Sequence, residues 1–375
     1  MITGVLSGPG HSSPLKCVAL SQKNACVASG DNNGTIIVHD MTKTGIVEFR
    51  ADNVFAEVLG LCYLPNGSLV VCGWDDEFEG PNLKVFSPSL ELVQTLEGHD
   101  FAVLCVTVSP SGSHIASGGS DGKVMIWSES GEGGKWARVQ VLEDDTSSIY
   151  SVCFSPDGKQ LATGSWDELI KTYSFKEGSA ILAHTLEGHT FPVGSLSFSP
   201  DCKLLCSGGY DKSIKFWNPA DGSLVKSIDQ AHTSFVWSVS YSPNGRVAAS
   251  GADDKSIKIW DASTFELKHT FDALHTGGVE DLSFTPDSNF LVSGSSDETV
   301  RLTNVAYFTQ ATNLSEGLKE EDPIMVKEAI LTLIKLDLLL LKDFLQYLLV
   351  DQMFQEATML LRAAWKLMRE VSERL

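Results

Sequence analysis

A four-residue pattern that recurs along the chain limits its fold more than any other feature. A histidine is followed by a serine, an aspartate and a tryptophan at offsets of 18, 22 and 28 residues. Three copies are complete: His99, Ser117, Asp121 and Trp127; His189, Ser207, Asp211 and Trp217; and His232, Ser250, Asp254 and Trp260. Repetition at one spacing predicts an array of similar structural units.

Incomplete copies extend the array to seven units. The first begins at His11, with Asn33 and His39 at the aspartate and tryptophan positions, and the second begins near residue 54, with Cys72 at the serine position and Phe86 at the tryptophan position. The other two begin at Asp145, which replaces the histidine, and at His275, with Thr303 in place of tryptophan. The units repeat every 43 to 46 residues, a period typical of propeller blades. We therefore expect seven blades.

Each unit contains four short segments with the period of a β-strand. In the fifth unit these are "VGSLSFSP", "KLLCSGG", "SIKFW" and "LVKSI", in which apolar and polar residues alternate. Pro-Ser-Gly, Pro-Asp-Gly and Pro-Asn-Gly triplets begin at residues 110, 156 and 243, between the first two strands. Such residues favour tight hairpins, so each unit is predicted to be a four-stranded antiparallel sheet. No helical period precedes residue 317.

The "GH … IWD" and "GH … FWN" signatures of these units resemble the WD-repeat family across about residues 1–310. The resemblance implies an all-β fold, a seven-bladed propeller whose closed ring leaves only short sheet edges. It also implies that each quartet is structural, with its members hydrogen-bonded in series between outer and inner strands. Since "TGVLSG" before His11 matches "QTLEG" before His99, we expect the N-terminal segment to supply the fourth strand of the seventh blade.

His189, Ser207 and Asp211 are the residue types of a hydrolase triad. A catalytic triad is needed once, whereas this trio recurs around the predicted ring, so we interpret it as structural. The Gly118–Gly122 segment matches the GxSxG nucleophile pattern, but that motif requires a following helix, and a strand is predicted here. We therefore predict no catalytic residue and no cofactor. We also predict no metal site, and the eight cysteines lack CxxC spacing.

Partner contacts in WD-repeat proteins commonly use the residues three and five positions after the blade histidine and the residue before the blade aspartate. Strand alternation directs these positions to one mouth of the channel. The corresponding residues predicted to bind a partner are Tyr150, Trp166, Tyr210, Phe235, Trp237, Asp253 and Glu280. Tyrosine and tryptophan dominate binding hot spots. The alternative is that some of the aromatic residues only pack between blades.

The net charge of −20 argues against a nucleic-acid partner or an anionic membrane surface, since phosphate binding needs clustered Lys and Arg. Basic protein segments are compatible partners. The N-terminus lacks the charged and apolar regions of a signal peptide, so we expect a reducing compartment, the cytoplasm or the nucleus. No apolar stretch of the tail is long enough to span a bilayer.

The sequence after residue 317 has a different character. We expect a linker at 311–322 and a helical tail at 323–375, with Asp322 as N-cap and two helical segments at about 323–350 and 352–373. Leu338 to Leu341 cover a whole helical turn, so the tail must be covered on more than one side. It could fold onto the propeller, self-associate into a homo-oligomer, or insert between partner subunits.

These observations predict a non-catalytic interaction scaffold that binds other proteins through its propeller face and its helical tail. One alternative is a substrate-recognition subunit of a ubiquitin ligase, although such receptors often carry an arginine where Ser263 follows Trp260 and Asp261. A second alternative is a propeller-fold hydrolase.

Overall fold

The computed structural model describes residues 3–5, 10–21, 25–41, 47–75, 82–130 and 135–310. The expected linker at 311–322 and helical tail at 323–375 lie outside these residues, so the domain boundary at 310 and the helical segments stay predictions. Within the described ranges, no helix has the length and apolar character needed to cross a bilayer.

Twenty-eight strands, grouped by fours along the chain, form the described fold. Their bounds are β1 Thr3–Val5; β2 Leu15–Leu20, β3 Cys26–Asp31, β4 Ile36–Asp40 and β5 Val47–Ala51; β6 Glu57–Tyr63, β7 Leu69–Trp74, β8 Leu83–Phe86 and β9 Leu92–Thr95; β10 Val103–Val108, β11 His114–Gly119, β12 Val124–Ser130 and β13 Lys135–Leu142; β14 Ile149–Phe154, β15 Gln160–Ser165, β16 Ile170–Lys176 and β17 Ser179–Leu186; β18 Val193–Phe198, β19 Leu205–Gly209, β20 Ile214–Trp217 and β21 Leu224–Ile228; β22 Val236–Tyr241, β23 Val247–Ala252, β24 Ile257–Asp261 and β25 Leu267–Phe271; and β26 Val279–Phe284, β27 Phe290–Ser295 and β28 Val300–Asn304.

The strands form seven four-stranded antiparallel sheets, which confirms the predicted seven-bladed propeller. Blades one to six each contain four consecutive strands, starting with β2, and blade seven contains β26 to β28 and β1. The first strands of consecutive blades contact each other from β2 through β26, and β26 contacts β2. These seven strands are therefore the innermost of a closed ring.

Glycine in the second strand of a blade permits close packing against the next blade. A Cβ atom at Gly118 would stand 2.6 Å from Ile149, and one at Gly208 would stand 2.6 Å from Val236. Real Cβ atoms do not approach so closely, so only glycine fits there. The serine–glycine pairs of the repeat therefore mark the blade-to-blade interfaces.

Polar side chains tie the inner strands of neighbouring blades. The Ser195 hydroxyl accepts a hydrogen bond from the Val239 N–H at 3.0 Å, and Ser238 accepts one from Leu282 at 3.1 Å. Asp281 occupies the corresponding position in blade seven and accepts the Val18 N–H at 2.9 Å. This carboxylate therefore links the last blade to the first. Desolvation of this carboxyl group raises its pKa to about 6.

Glutamine side chains link the outer strands of neighbouring blades from blade two to blade four. The Gln94 side-chain amide donates to the Trp136 carbonyl and accepts from the Trp136 N–H, both at 2.8 Å. Gln140 makes the same pair of bonds to Ala180, at 2.8 and 2.7 Å. Each glutamine therefore pairs with a backbone N–H and a carbonyl of an outer strand, groups that would otherwise have no partner at the edge of the sheet.

The N-terminal strand closes the ring, as predicted. β1 pairs antiparallel with β28, with Thr3 opposite Thr303 and Val5 opposite Arg301. Blade seven is therefore assembled from both ends of the described chain, and its outer edge is covered by a strand of only three residues.

Removal of residues 1–8 is expected to lower the free energy of unfolding by about 2 kcal/mol, since it deletes a strand worth a few backbone hydrogen bonds and exposes the edge of β28. Urea unfolding of the full chain and of the shortened chain measures the difference. An unchanged unfolding midpoint would show that β1 contributes nothing to ring closure.

A short helix follows the last strand and corrects the expectation that no helix precedes residue 317. Helix α1, Ala306–Gln310, is too short to give a recognisable helical period. Phe308 stacks on His269 with ring centres 5.0 Å apart, and Arg246 donates to the Thr309 carbonyl at 3.1 Å. The chain therefore leaves blade seven anchored to blade six.

A candidate partner-binding face

The quartets form connected hydrogen-bond networks inside their blades. In blade five, His189 Nδ1 faces Asp211 Oδ2 at 2.9 Å and Nε2 faces Ser207 Oγ at 2.7 Å. Trp217 Nε1 donates to the same serine oxygen at 2.8 Å. The remaining complete quartets, His99, Ser117, Asp121 and Trp127, and His232, Ser250, Asp254 and Trp260, make the same contacts.

This geometry is that of a Ser-His-Asp triad, but its surroundings differ from those of an active site. Ser117, Ser207 and Ser250 are each 0% exposed, so no substrate can reach their hydroxyl groups. Each hydroxyl also receives the indole N–H of its tryptophan. The networks tie the second and third strands of a blade, and the turn between them, to the loop that carries the histidine.

Blade one departs from the spacing expected for its aspartate. His11 Nδ1 contacts Asp31 Oδ2 at 2.6 Å, while Nε2 contacts Ser29 at 2.8 Å. Asn33, at the predicted position, instead donates its backbone N–H to Asp31 Oδ1. The expected assignment of Asn33 is therefore wrong, because a carboxylate two residues earlier reaches the same histidine.

Blade four replaces the histidine with a buried salt bridge. Lys171 bonds to Asp145, which stands at the histidine position, and lies 3.8 Å from the blade aspartate Asp167. Thr163 at the serine position also donates to Asp145, at 3.3 Å. A lysine between two carboxylates thus connects the same strands that histidine connects elsewhere. Burial nevertheless raises the pKa of Asp145 above its ordinary value.

The blade aspartates are held ionised by their donors. Burial alone would raise the pKa of Asp254, but hydrogen bonds from His232, from the Ser256 hydroxyl and from the Thr233 N–H lower it. Asp297 shows the same balance, and its pKa is lowered to about 2. These carboxylates therefore stabilise the fold at neutral pH.

His39 leaves the quartet of blade one incomplete. It is 3% exposed and stands at the tryptophan position, yet its Nδ1 has no hydrogen-bond partner among the residues that the structure describes. Burial and the proximity of His11 lower its pKa to about 4. Gly10 precedes His11 just as Gly188 precedes His189, where a Cβ would come within 3.0 Å of the Trp217 ring. Blade one therefore keeps the glycine that accommodates a tryptophan.

His39→Trp is expected to stabilise the protein by about 1 kcal/mol at pH 8, through a new hydrogen bond to Ser29. The gain should be about 1 to 2 kcal/mol larger at pH 5, because below pH 6.5 the unfolded chain protonates His39 while the folded chain does not until about pH 4. Urea unfolding at both pH values measures this. His39→Phe is the control, which removes the titration but adds no donor; equal gains for Trp at pH 8 and pH 5 would contradict the account.

Five of the predicted binding residues form one contiguous group, called the aromatic cluster below. It consists of Tyr150, Trp166, Tyr210, Phe235 and Trp237. Tyr210 lies at its centre, with ring centres 5.9 Å from Tyr150, 6.1 Å from Trp166, 5.1 Å from Phe235 and 4.8 Å from Trp237. The cluster spans blades four, five and six.

Exposure divides the cluster into a base and a surface. Tyr210 is only 8% exposed, whereas Trp166 and Phe235 are 49% and 41% exposed. The rings are packed against each other at contact distance, so they form a preformed ridge rather than an open cage. Tyr210 therefore packs between blades, as the alternative interpretation expected, while Trp166 and Phe235 are exposed.

One repeated backbone bond brings the predicted positions together. The N–H of Trp166 donates to the Ser148 carbonyl, that of Tyr210 to Pro192, and that of Asp253 to Phe235, each at 2.9 Å. The residue before the blade aspartate is therefore fixed beside the residue three positions after the blade histidine. This bond explains why separate sequence positions share one face.

The residues five positions after the blade histidine meet at the centre of the ring. A cavity of about 190 Å³ lies there, and each blade contributes one lining residue of this set: Lys16, Leu59, Leu104, Tyr150, Gly194, Trp237 and Glu280. The aromatic cluster therefore borders the mouth of the central channel through Tyr150 and Trp237. Trp237 Nε1 is buried and has no hydrogen-bond partner within the described part of the chain.

The two predicted acidic binding residues differ in environment. Asp253 is exposed and accepts a hydrogen bond from Ser234 at 3.0 Å. Glu280 is already paired with Lys16, whose Nζ lies 3.3 Å from Oε2. Burial raises the pKa of Glu280, with the negative charge of Asp253 adding to the effect. The ion pair was not predicted, because its members lie 264 residues apart.

Three exposed aromatic residues in the described ranges were not among the predicted binding residues, and two of them lie close to blade histidines. Phe101 and Phe191 are 58% and 57% exposed and lie two positions after their blade histidines. That spacing is the only sequence signal for them. Among the described residues, no group of three or more His, Cys, Asp or Glu side chains could hold a metal ion.

Comparison with known sequences identifies six of the seven repeats. The sequence model of the WD domain, G-beta repeat, matches residues 3–40, 90–128, 136–174, 181–218, 222–261 and 265–304. The degenerate unit near residues 54–86 lies outside the matched ranges.

Similar proteins share only parts of their length with this chain. A ribosome biogenesis protein YTM1 of Phaeosphaeria nodorum is 30% identical over 124 residues, 32% of this chain and 25% of the relative. The small ribosomal subunit protein RACK1y of Oryza sativa subsp. japonica is 27% identical over 128 residues, 33% of this chain and 38% of the relative. A ribosome biogenesis protein WDR12 homolog of Chlamydomonas reinhardtii is 50% identical over 50 residues, covering 13% and 11%. The chain thus spans well under half the length of these relatives.

Proposed function

Because the chain belongs to the WD-repeat family, whose propellers are typical protein-interaction scaffolds, we propose that its aromatic cluster binds a segment of a partner protein. The scaffold is non-catalytic in this proposal. The observation that carries it is the exposure of Trp166 and Phe235 on a buried aromatic base.

The physical argument rests on preorganisation. Trp166 and Phe235 keep a large apolar area in water, and Tyr210 holds the Phe235 ring by stacking at 5.1 Å. A partner that covers them gains the burial of that area without paying to order flexible side chains. Such fixed aromatic residues are the usual hot spots of interfaces.

The charge around the cluster suggests the chemistry of the partner. The protein carries a net charge of −20, and Asp253 is exposed beside Phe235, to whose carbonyl its N–H is bonded. A partner segment with an apolar or aromatic anchor and a basic residue would match both features. Nucleic acid would be repelled by this charge.

Both alternative functions receive less support. A hydrolase would need an accessible nucleophile, but the serines of the complete quartets are fully buried. Incubation with generic ester, phosphate and peptide substrates tests this directly. A ubiquitin-ligase receptor of the expected type would present an arginine at Ser263, whereas this serine caps a turn by bonding to Asp261.

We further propose that the segment 323–375 holds the protein in an oligomer or a larger complex, in the cytoplasm or the nucleus. Affinity capture with the full chain and with a 1–317 truncation tests whether partners bind to the propeller or to this segment. Retrieval of the same partners by both would support recognition by the propeller. Loss of all partners on truncation would assign binding to the tail instead.

A further inference from the structure

An internal ion pair occupies the channel mouth beside the aromatic cluster. Lys16 of blade one reaches across to Glu280 of blade seven, with 3.3 Å between Nζ and Oε2. The Glu280 side chain is 10% exposed and that of Lys16 is 31% exposed. The carboxylate therefore stays in place while the ammonium group lies closer to solvent.

The surroundings of Glu280 suit a positively charged group. The same cavity is lined by Tyr150 and Trp237, aromatic residues whose ring faces attract cations, and by the acidic residue Asp281. Asp253 is close enough to act on Glu280 electrostatically. Only Lys16 brings a positive charge among the residues that line this cavity.

We propose that Glu280 receives the basic side chain of the partner segment, and that Lys16 is an intramolecular competitor that occupies this site in the unbound protein. The inference rests on the proposed function, because it names the chemistry recognised at the same face. Arginine is the favoured ligand, since its planar group can bond to the carboxylate while stacking on Tyr150 or Trp237.

Lys16 is suited to being displaced. Its side chain is flexible and 31% exposed, so water screens its ammonium group and makes the pair weaker than one between two buried charges. A partner that replaces it therefore forfeits at most about fivefold in affinity. Within the described residues Lys16 Nζ is bonded to Glu280 alone, so the displaced lysine can move toward solvent without losing a second side-chain bond.

Immobilised octapeptide pools test the proposal. Each pool is random except for a fixed central residue, which is arginine in one pool and the neutral isostere citrulline in another. The full chain should be retained better by the arginine pool. Lys16→Met should raise that retention about threefold to fivefold, and Glu280→Gln should abolish the preference for arginine over citrulline.

Lys123→Met is the matched control, because Lys123 is 30% exposed and pairs with Asp100 at 2.7 Å in blade three. It should behave as the wild type. The gain expected for Lys16→Met is measured against Lys123→Met and does not depend on Glu280→Gln, so the test stands even if that second variant is unstable.

The outcomes separate the inference from the proposed function. If Lys16→Met matches Lys123→Met, or if Glu280→Gln keeps the arginine preference, the inference is wrong. If Phe235→Ala binds every pool as the wild type does, the proposed function itself fails. Retention of the protein by no pool would overturn both.

Discussion

Replacing Asp254 with alanine is expected to lower the free energy of unfolding by about 4 kcal/mol, the largest loss from any single change considered. The carboxylate accepts the Thr233 N–H at 2.8 Å, the Ser256 hydroxyl at 2.6 Å and His232 Nδ1 at 3.1 Å. His232 is 0% exposed, so its ring would lose a charged partner without gaining water. Stranded buried donors cost about 1–3 kcal/mol each.

Urea unfolding at pH 7, followed by tryptophan fluorescence, measures this loss. Asp201→Ala is the matched control, because Asp201 accepts bonds from Ser199 and Lys203 in an exposed hairpin loop. It should cost less than about 1 kcal/mol. Equal losses for the two variants would show that the quartet is not a special source of stability.

The difference between wild type and Asp254→Ala should depend on pH with a defined sign. The pKa of Asp254 is lowered in the folded state, so the folded chain binds its proton less readily than the unfolded chain. Its contribution is therefore complete above the ordinary range of aspartate and disappears as the pH falls below about 4. The two unfolding curves should approach each other in acid.

The blade architecture could be predicted because the same sequence signals recur in every structural unit. Strand alternation, hairpin triplets and the quartet recur at one period, and the match of "TGVLSG" to later outer strands located β1 against β28. Each of these signals is local or recurs many times. A misleading signal in one unit therefore does not change the prediction of seven blades.

The predictions from sequence were wrong or incomplete where one unit differs from the others. Asp31, and not Asn33, bonds to His11. The spacing of the repeat does not show which side chain lies close enough to the histidine ring. Helix α1 is a single turn held by Phe308 and Arg246, so it has no period to detect. The salt bridge between Lys171 and Asp145 also appears only when β16 and the loop before β14 are placed together.

The sequence predicted which residues lie on the candidate binding face, but not how their side chains pack there. Family resemblance selected Trp166 and Phe235, and the repeated backbone bonds give the reason that such positions converge. The burial of Tyr210 beneath them and the pairing of Lys16 with Glu280 depend on the diameter and closure of the ring. Neither property can be read from one repeat.

Joint replacement of Trp166 and Phe235 by alanine is expected to reduce partner binding at least about 30-fold. Each exposed ring is a candidate hot spot worth about 1–2 kcal/mol, and both flank Tyr210. The stability of the fold should change little, since both side chains are more than two-fifths exposed. The loss should therefore appear in binding and not in the unfolding midpoint.

The most direct test of the central claim is quantitative affinity capture with three forms of the full chain. These are the wild type, the Trp166→Ala, Phe235→Ala double variant, and Phe101→Ala, which removes a phenylalanine that is 58% exposed in blade three. The account predicts that the double variant loses the partners that the wild type and Phe101→Ala retain. Equal recovery of the same partners by all three would contradict it.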